Sequence, residues 1–520
     1  TDSINGEVSI ANGAELKLTG GSAFGKNIKG YNSTYGTLNI TGDIIYNGAA
    51  DIDELKVAAT TKYTNENQTT IRNSMSNAGE IDNKGILNIV GDVDSMPITN
   101  SGTISDSTNT GSIQIGQGAT NSGFKNSSAI TTSTLAVNTA LSKLTNDIGG
   151  IITVNSDFNN KGQIENNGDL NLYGATTMEN DATGTIKGSG NLTIGNGINS
   201  SKLTNNNTQD GAITQNIAIA LGSELNSTAN ALVDTTGIEN DGTLTLTGGT
   251  LSSAINASVS GHTDITGDVN IVDTTIAINQ DINITGSLSA NGANIQGNVV
   301  NDGTLELTGG TLEKNVSSTT GISTGHTDIK GIVENKANIS QDVNVLSGSL
   351  NNSTGSISGL TTISSGSELS NSGTLAEVVN NSNGSSFGLV NTNLITGDLT
   401  NTGKVDNTNA SAEIKGSIIN NSGTIKTLAN NIATNTSSTI TNDGTLELTD
   451  GTLSRAINST VGISTGHTDI TGDVNIVDTT IAINQNINIT GSLSANGANI
   501  QGDVVNDGTL ELTGGTLEKN

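Results

Sequence analysis

The chain of 520 residues contains no cysteine, no tryptophan and a single proline, Pro97. Without cysteine no disulfide framework can hold it, which excludes neither side of a membrane. Aromatic residues make up 2% of the chain. A thick, irregular core uses large aromatic anchors; a narrow core of stacked aliphatic side chains does not need them. The scarcity of proline suits long hydrogen-bonded ladders, because proline removes a donor from a sheet. Arginine occurs only at Arg72 and Arg455, and the formal net charge is −29. A nucleic-acid partner calls for a basic stripe, and none is visible. An anionic bilayer repels such a surface, whereas acidity favours solubility in a crowded extracellular setting. No apolar run approaches the roughly 20 residues of a membrane helix. No charged segment followed by an apolar stretch opens the chain as a signal peptide does.

What is present is repetition. Residues 261–315 recur as 466–520 with two changes in 55 positions, Asp281 against Asn486 and Asn298 against Asp503. The phrase NDGTL begins at Asn240, Asn301, Asn442 and Asn506, and GHTDI surrounds His262, His326 and His467. A chain built this way reads as an array of similar structural units, not a globule around one unique site. Apolar residues are 32%, but 66 glycines bring the sum into the range of ordinary proteins, so disorder is not forced.

The commonest phrase is Asn-x-Gly-x-aliphatic, at Asn77, Asn83, Asn100, Asn160, Asn166, Asn371, Asn401, Asn421 and Asn442. Asn and Gly tolerate positive φ, so these phrases read as tight turns. Period-two strands follow them: ILNIV at 86–90, DLNLY at 169–173, TLTLT at 243–247 and TLELT at 445–449. Short strands without helical periodicity mean an all-β fold. The NDGTL spacings of 61, 141 and 64 residues are near-multiples of one rung length of about 20. Sandwich domains of about 100 residues do not fit them. The expected fold is therefore a right-handed parallel β-helix, a solenoid of roughly 25 rungs and about 120 Å in length. Each rung stacks Ile, Leu and Val on its neighbours, and Asn at equivalent turns forms ladders.

The expected organisation is N-terminal rungs or a cap over 1–48, an irregular excursion over 49–76, β-helix with irregular rungs over 77–235, and β-helix with long repeats over 236–520. Within it, 49–76 reads as a polar loop with a possible short helix. Residues 129–149 read more helically than their surroundings, and 205–237 carries the apolar segment NIAIALGSEL. Tyr31, Tyr35, Tyr46 and Tyr63 crowd the first 63 residues. They indicate either a cap with altered packing or a contact patch for a partner or glycan.

Candidate sites are few. Three histidines at equivalent repeat positions point to a structural turn element, since a nucleophile–base triad needs one unique constellation. At three rungs' separation, neighbouring histidines lie ~14 Å apart along the axis, too far to share a metal. Asp264 and Asp268 stand four apart and recur as Asp469 and Asp473. Calcium takes clustered oxygens, but neither the Ca²⁺-binding nonapeptide pattern nor an EF-hand loop occurs. They read as solvated turn residues, with a weak calcium site as the alternative. A glycan-cleaving enzyme needs paired carboxylates or basic residues beside calcium, with aromatic platforms; here acids are dispersed and tryptophan is absent. Ice binding needs sustained Thr-x-Thr arrays, which Glu306, Glu447 and Glu511 interrupt. Asn-x-Ser/Thr sequons occur at Asn32, Asn67, Asn126 and Asn191, among others. No residue is assigned a catalytic, cofactor-binding or metal-ligating role.

The NSGTI and NDGTL rungs, the Gly/Asn/Thr richness, the acidity, the missing cysteine and the long near-identical repeats resemble the passenger regions of bacterial autotransporters. They also resemble other large β-helical adhesins of Gram-negative bacteria. The C-terminal β-barrel translocator of the former and the Asn-Pro motifs of two-partner-secreted haemagglutinins are not found. The resemblance implies export through an outer membrane, folding outside the cell, and roles in adhesion, aggregation or biofilm. The absence of cysteine suits passage through an outer membrane unfolded. The chain is expected to be a piece of a longer protein carrying an export signal and an anchor elsewhere. The expected function is a structural and adhesive rod at the cell surface. Its partners are itself or surface glycans and proteins of host or neighbouring cells, with no nucleic acid and no membrane insertion. A subunit of an extracellular filament, sheath or surface layer is the second expectation, and a β-helical polysaccharide-active enzyme the third.

Overall fold

The computed structural model describes residues 6–519 except 22, 92–97, 120, 175–176, 234, 278, 320–323, 435–436, 461–465 and 483. Pro97 therefore lies outside the described residues. The chain divides into two compact units, Thr1–Val269 and Asn270–Asn520. The fold is a parallel β-solenoid with about 25 turns, about 20 residues apart, and almost no helix.

Period-two alternation is the local cause. In Thr243–Leu246 the leucines are buried and the threonines half-exposed. In Thr445–Leu448 the same phrase, with Glu447 facing outward, repeats the pattern. One strand cannot bury its inward row alone, so successive turns stack in parallel. In the first unit one column runs through Ile44, Tyr63, Ile81, Ile104, Ile130, Ile152, Leu170, Leu192, Ile217, Ile238 and Ile255. In the second unit each turn contributes three such strands. One column is Ile282, Val299, Val316, Ile339, Ile357, Leu375, Ile395 and Ile414. A second runs Val343, Thr361, Val378, Leu399, Ile418, Ile440 and Ile457. A third runs Val333, Leu350, Leu369, Leu389, Val405, Ile425, Leu446, Thr468 and Ile487. Each fully buried aliphatic side chain in these columns contributes about 1.5–3 kcal/mol relative to exposure.

The core of the second unit is aliphatic, but the first also stores aromatics. Tyr46, Tyr63, Phe124 and Phe158 are buried. Phe24 stacks on Tyr46 at 5.9 Å and Tyr46 lies 6.1 Å from Tyr63.

Two local expectations change. Residues 49–76 are not an excursion: Ala50–Val57, Lys62–Asn65 and Gln68–Asn77 are strands of ordinary turns. Their polar look arises because the inward Ala50, Ile52, Leu55, Val57, Tyr63, Ile71 and Met75 alternate with outward Asp, Glu and Lys and are joined inside by buried Asn65 and Thr69. Residues 129–149 are strands as well, Ala129–Val137 and Lys143–Asn146. A register shift between Thr132 and Thr134 breaks the period of two and imitates a helical pattern. Within 205–237 regular strands give way to a short helical turn. After Asn216–Ile219 and Glu224–Ser227 comes a 3₁₀ turn, Asn230–Leu232, that buries Ala231 and Leu232.

The Asn-x-Gly phrase works by a different physics from tight positive-φ turns. None of its glycines or asparagines is among the positive-φ residues. Instead the glycine passes under the carbonyl of the preceding turn. A Cβ at Gly403 would meet Ser382 O, and one at Gly444 would meet Gly423 O. Glycine is required by close approach of two backbones, not by handedness.

Candidate functional site

In all but one of the Asn-x-Gly phrases the asparagine ends a strand and points inward, where side-chain amides stack from turn to turn. In the first unit Asn77 Nδ2 donates to Asn100 Oδ1 (2.9 Å), Asn100 to Asn126 (2.9 Å), Asn126 to Asn146 (2.8 Å), Asn146 to Asn166 (2.7 Å) and Asn166 to Gln215 Oε1 (2.6 Å). A second ladder joins Asn160, Asn180, Asn205 and Ser227. In the second unit one ladder runs Asn335, Asn352, Asn371, Asn391, Asn407 and Thr427. Another runs Asn380, Asn401, Asn420, Asn442 and Gln485. Every link donates toward the C-terminus, so the amide dipoles align and polarise one another. Several amides also serve their own corner: Asn401 Oδ1 accepts from the Gly403 N–H at 3.1 Å and Asn380 Oδ1 from the Ser382 N–H at 3.2 Å, while Asn380 Nδ2 also reaches Lys404 O of the next turn at 3.1 Å. The phrase NNSGTI carries its ladder residue at Asn420; Asn421 is exposed.

The GHTDI phrases are strands, not turns. His262, His326 and His467 pair with Thr243, Thr304 and Thr445 of the preceding turn. The period of two turns Thr and Ile inward and His and Asp outward. Each Nε2 lies 3.6–3.9 Å from the aspartate two residues on, Asp264, Asp328 or Asp469. The copies share this local pairing but not one face. Seven pairing steps lead from Val333 to Thr468. Seven from Thr327 lead instead to Ile457. His326 and His467 therefore stand on different faces of the second unit, so the same strand sequence serves two faces. Asp469 accepts from Asn488 Nδ2 at 2.8 Å. Asp268 and Asp473 open exposed strand positions. Among the described residues no three of His, Cys, Asp and Glu lie together as a metal site needs. Glu306 pairs with Lys330 at 2.6 Å and Glu447 with Lys426 at 3.0 Å, both across turns.

The early tyrosines split. Tyr46 and Tyr63 are core, and burial raises the pKa of both phenols. Tyr31 is exposed, and Tyr35 lies 4.4 Å beneath the Arg72 guanidinium, which also grips Asp51 through Nε (2.6 Å) and an Nη (2.9 Å). Arg455 is different. It is 3% exposed, and one terminal nitrogen donates to Gly416 O and Thr439 O, both at 3.0 Å. Its Nε and Nη1 have no partner, and burial lowers its pKa. Of the sequons, Asn126 is a buried ladder residue, so its amide is closed to modification in the folded chain, whereas Asn32, Asn67 and Asn191 are exposed.

Two outward grooves hold mixed chemistry. One, of about 320 Å³, is lined by Lys143, Gln163, Glu165, Thr185 and Lys187. The other, of about 200 Å³, is lined by Ser349, Asn351, Glu368, Ser370, Phe387 and Val390. Nothing in the linear order of residues announces the second groove, because its members come from three successive turns. No protein-family model, curated protein or solved structure matches this chain.

Proposed function

We propose that this chain is the structural and adhesive stem of an exported bacterial cell-surface protein. It acts by self-association and by contact with glycans or proteins of host or neighbouring cells, and it catalyses no reaction. The supporting observation is the pair of buried amide ladders in each unit. They tie together the turns from Asn77 to Ser227 and from Asn335 to Gln485 while leaving the outward positions free, which suits a scaffold that lengthens by copying turns. The acidity and the missing cysteine, shared in style with autotransporter passengers, support the extracellular setting.

Self-association of a chain with net charge −29 requires contact where charge is lacking. One outward column of the second unit qualifies: Thr362, Val379, Thr400, Ile419 and Thr441. Such a flat β-branched row can pack against its like. Cells bearing the chain should clump, and Thr362→Asp, Thr400→Asp and Thr441→Asp together should disperse them. Unchanged clumping would refute the lateral contact. Electron microscopy of the native surface with an antibody to the chain tests the wider reading. Separate surface projections support the stem, whereas continuous fibres of uniform width make the chain a filament subunit.

A further inference from the structure

Residues 270–520 contain one aromatic side chain, Phe387. It is not in the core: it is half-buried on the outer surface, in an insertion at a corner of the solenoid. One turn later that corner needs only Thr402 and Gly403 between Asn401 and the strand Lys404–Asn407. After Asn380 the chain instead spends residues 381–388 before the strand Leu389–Asn391. The insertion is tied down on both sides. Ser365 Oγ donates to Asn383 Oδ1 at 2.8 Å, Ser386 Oγ to Glu368 Oε1 at 2.6 Å, and Lys404 Nζ to Ser385 O at 3.3 Å. These bonds hold the aromatic ring at the rim of the groove of about 200 Å³, opposite the outward side chains of Ser349, Asn351, Glu368 and Ser370.

We propose that the Phe387 groove is a carbohydrate subsite that takes one pyranose ring of a neutral or amino sugar. A pyranose has an apolar C–H face and a rim of hydroxyls. Phe387 and Val390 supply an apolar wall for the first. For the second, two serine hydroxyls, an amide and a carboxylate supply donors and acceptors in the mix that orients small ligands. The volume lies below the ~300–1,000 Å³ of drug-sized pockets and admits a single ring. Glu368 sets the charge preference: its carboxylate accepts from sugar hydroxyls or an ammonium and repels uronic and sialic acids. A subsite this open binds one sugar weakly, and useful strength comes from many copies of the chain meeting a repetitive glycan. The inference rests on the adhesive reading of the chain and names the chemistry it engages.

The test titrates the full chain with the methyl glycosides of glucose, galactose, N-acetylglucosamine, glucosamine and glucuronic acid, read by saturation-transfer NMR. At least one neutral or amino glycoside should bind and the glucuronide should not. Phe387→Ala and Phe387→Leu should each weaken binding at least tenfold, while Phe387→Trp keeps it. A ring that merely anchored the loop would tolerate leucine, so equal binding by the Leu variant overturns the proposal. Binding unaffected by Phe387→Ala, preference for the glucuronide, or no glycoside bound overturns it too. Clumping of cells bearing the chain, measured alongside, separates the two failures. Clumping without glycoside binding removes the subsite and leaves the adhesive reading standing.

Discussion

Asn401 offers the sharpest test of what holds a turn in place. It is fully buried. Its Nδ2 donates to Asn420 Oδ1 at 2.9 Å and to Gly403 O at 3.1 Å. Its Oδ1 accepts from Asn380 Nδ2 at 2.9 Å and from the Gly403 N–H at 3.1 Å. Truncation in Asn401→Ala leaves Asn420 Oδ1 and the Gly403 N–H unpaired, whereas Asn380 Nδ2 keeps Lys404 O. Two buried orphans at about 1–3 kcal/mol each predict a loss of about 2–6 kcal/mol. The control is Asn421→Ala in the neighbouring turn, exposed and outside the ladder, with an expected effect within about 0.5 kcal/mol. A stacked array need not unfold in one step, so a single melting temperature is a poor readout. Native-state hydrogen exchange resolves the opening of individual turns. Amides of 399–407 and 418–425 should lose protection by at least tenfold in Asn401→Ala and stay unchanged in Asn421→Ala. Equal behaviour of the two variants would refute the ladder as the element that fixes the corner.

Further expectations follow from single contacts. Gly403→Ala should cost the surrounding turn more hydrogen-exchange protection than Gly118→Ala costs its own, although of the two only Gly118 has positive φ. Gly118 faces open space, and a Cβ at Gly403 meets the Ser382 carbonyl. The opposite ranking would return the Asn-x-Gly phrase to turn chemistry. Arg455 occupies the place of Ser253 in the other copy of TLS-x-AIN and buries a charge with two nitrogens unpaired. Arg455→Met should leave hydrogen-exchange protection of the turns around it unchanged or raise it, because a hydrophobic replacement of a poorly compensated buried charge is commonly neutral to stabilising; a clear fall would show that the bonds to Gly416 O and Thr439 O dominate. At Asp82 burial pushes the carboxyl pKa up, but two bonds from Ser107 and the Lys62 ammonium outweigh it, and the net shift is downward. A depressed carboxyl contributes stability above the ordinary carboxyl range that is lost as pH falls through its folded value. Ser107→Ala should therefore destabilise at neutral pH, and its difference from the parent chain should shrink on acidification. A pH-independent difference would assign the effect to packing alone.

Much of the fold was legible because it is written twice over, in period-two strands and in the spacing of NDGTL. Those two signals fixed the parallel stack and the turn length, and the density of Asn at strand ends announced the ladders. Three things were hidden, each for a physical reason. Gly403 and its relatives look like turn residues, since composition does not distinguish positive φ from close backbone approach. The strands within 49–76 were masked by outward charge and by buried Asn65 and Thr69, which dilute the apolar inward row. The histidines looked equivalent because sequence shows which strand precedes them, not which face the accumulated turn lengths have reached. The Phe387 groove shares that last limit, since Ser349, Glu368 and Phe387 become neighbours only through stacking.

This division between inside and outside bears on how such a chain can carry function at all. The inward positions are occupied by aliphatic columns and by amides whose partners lie one turn away, so a change there propagates to two neighbours. The outward positions of the same strands make few obligatory contacts, and their ion pairs are exposed and weak, about 0–1 kcal/mol each. The two long copies illustrate the asymmetry: their differences, Asp281 against Asn486 and Asn298 against Asp503, fall at outward positions, exposed except for the half-buried Asn298, and in each copy the two positions bond each other across one turn. Side chains on that surface can therefore change without cost to the stack, and substitutions such as Phe387→Ala or Thr400→Asp should leave every inward hydrogen bond intact. Loss of binding or clumping in those variants then reports on the surface itself. A variant at Thr400 that lost hydrogen-exchange protection along the Asn380–Asn442 ladder would contradict the separation.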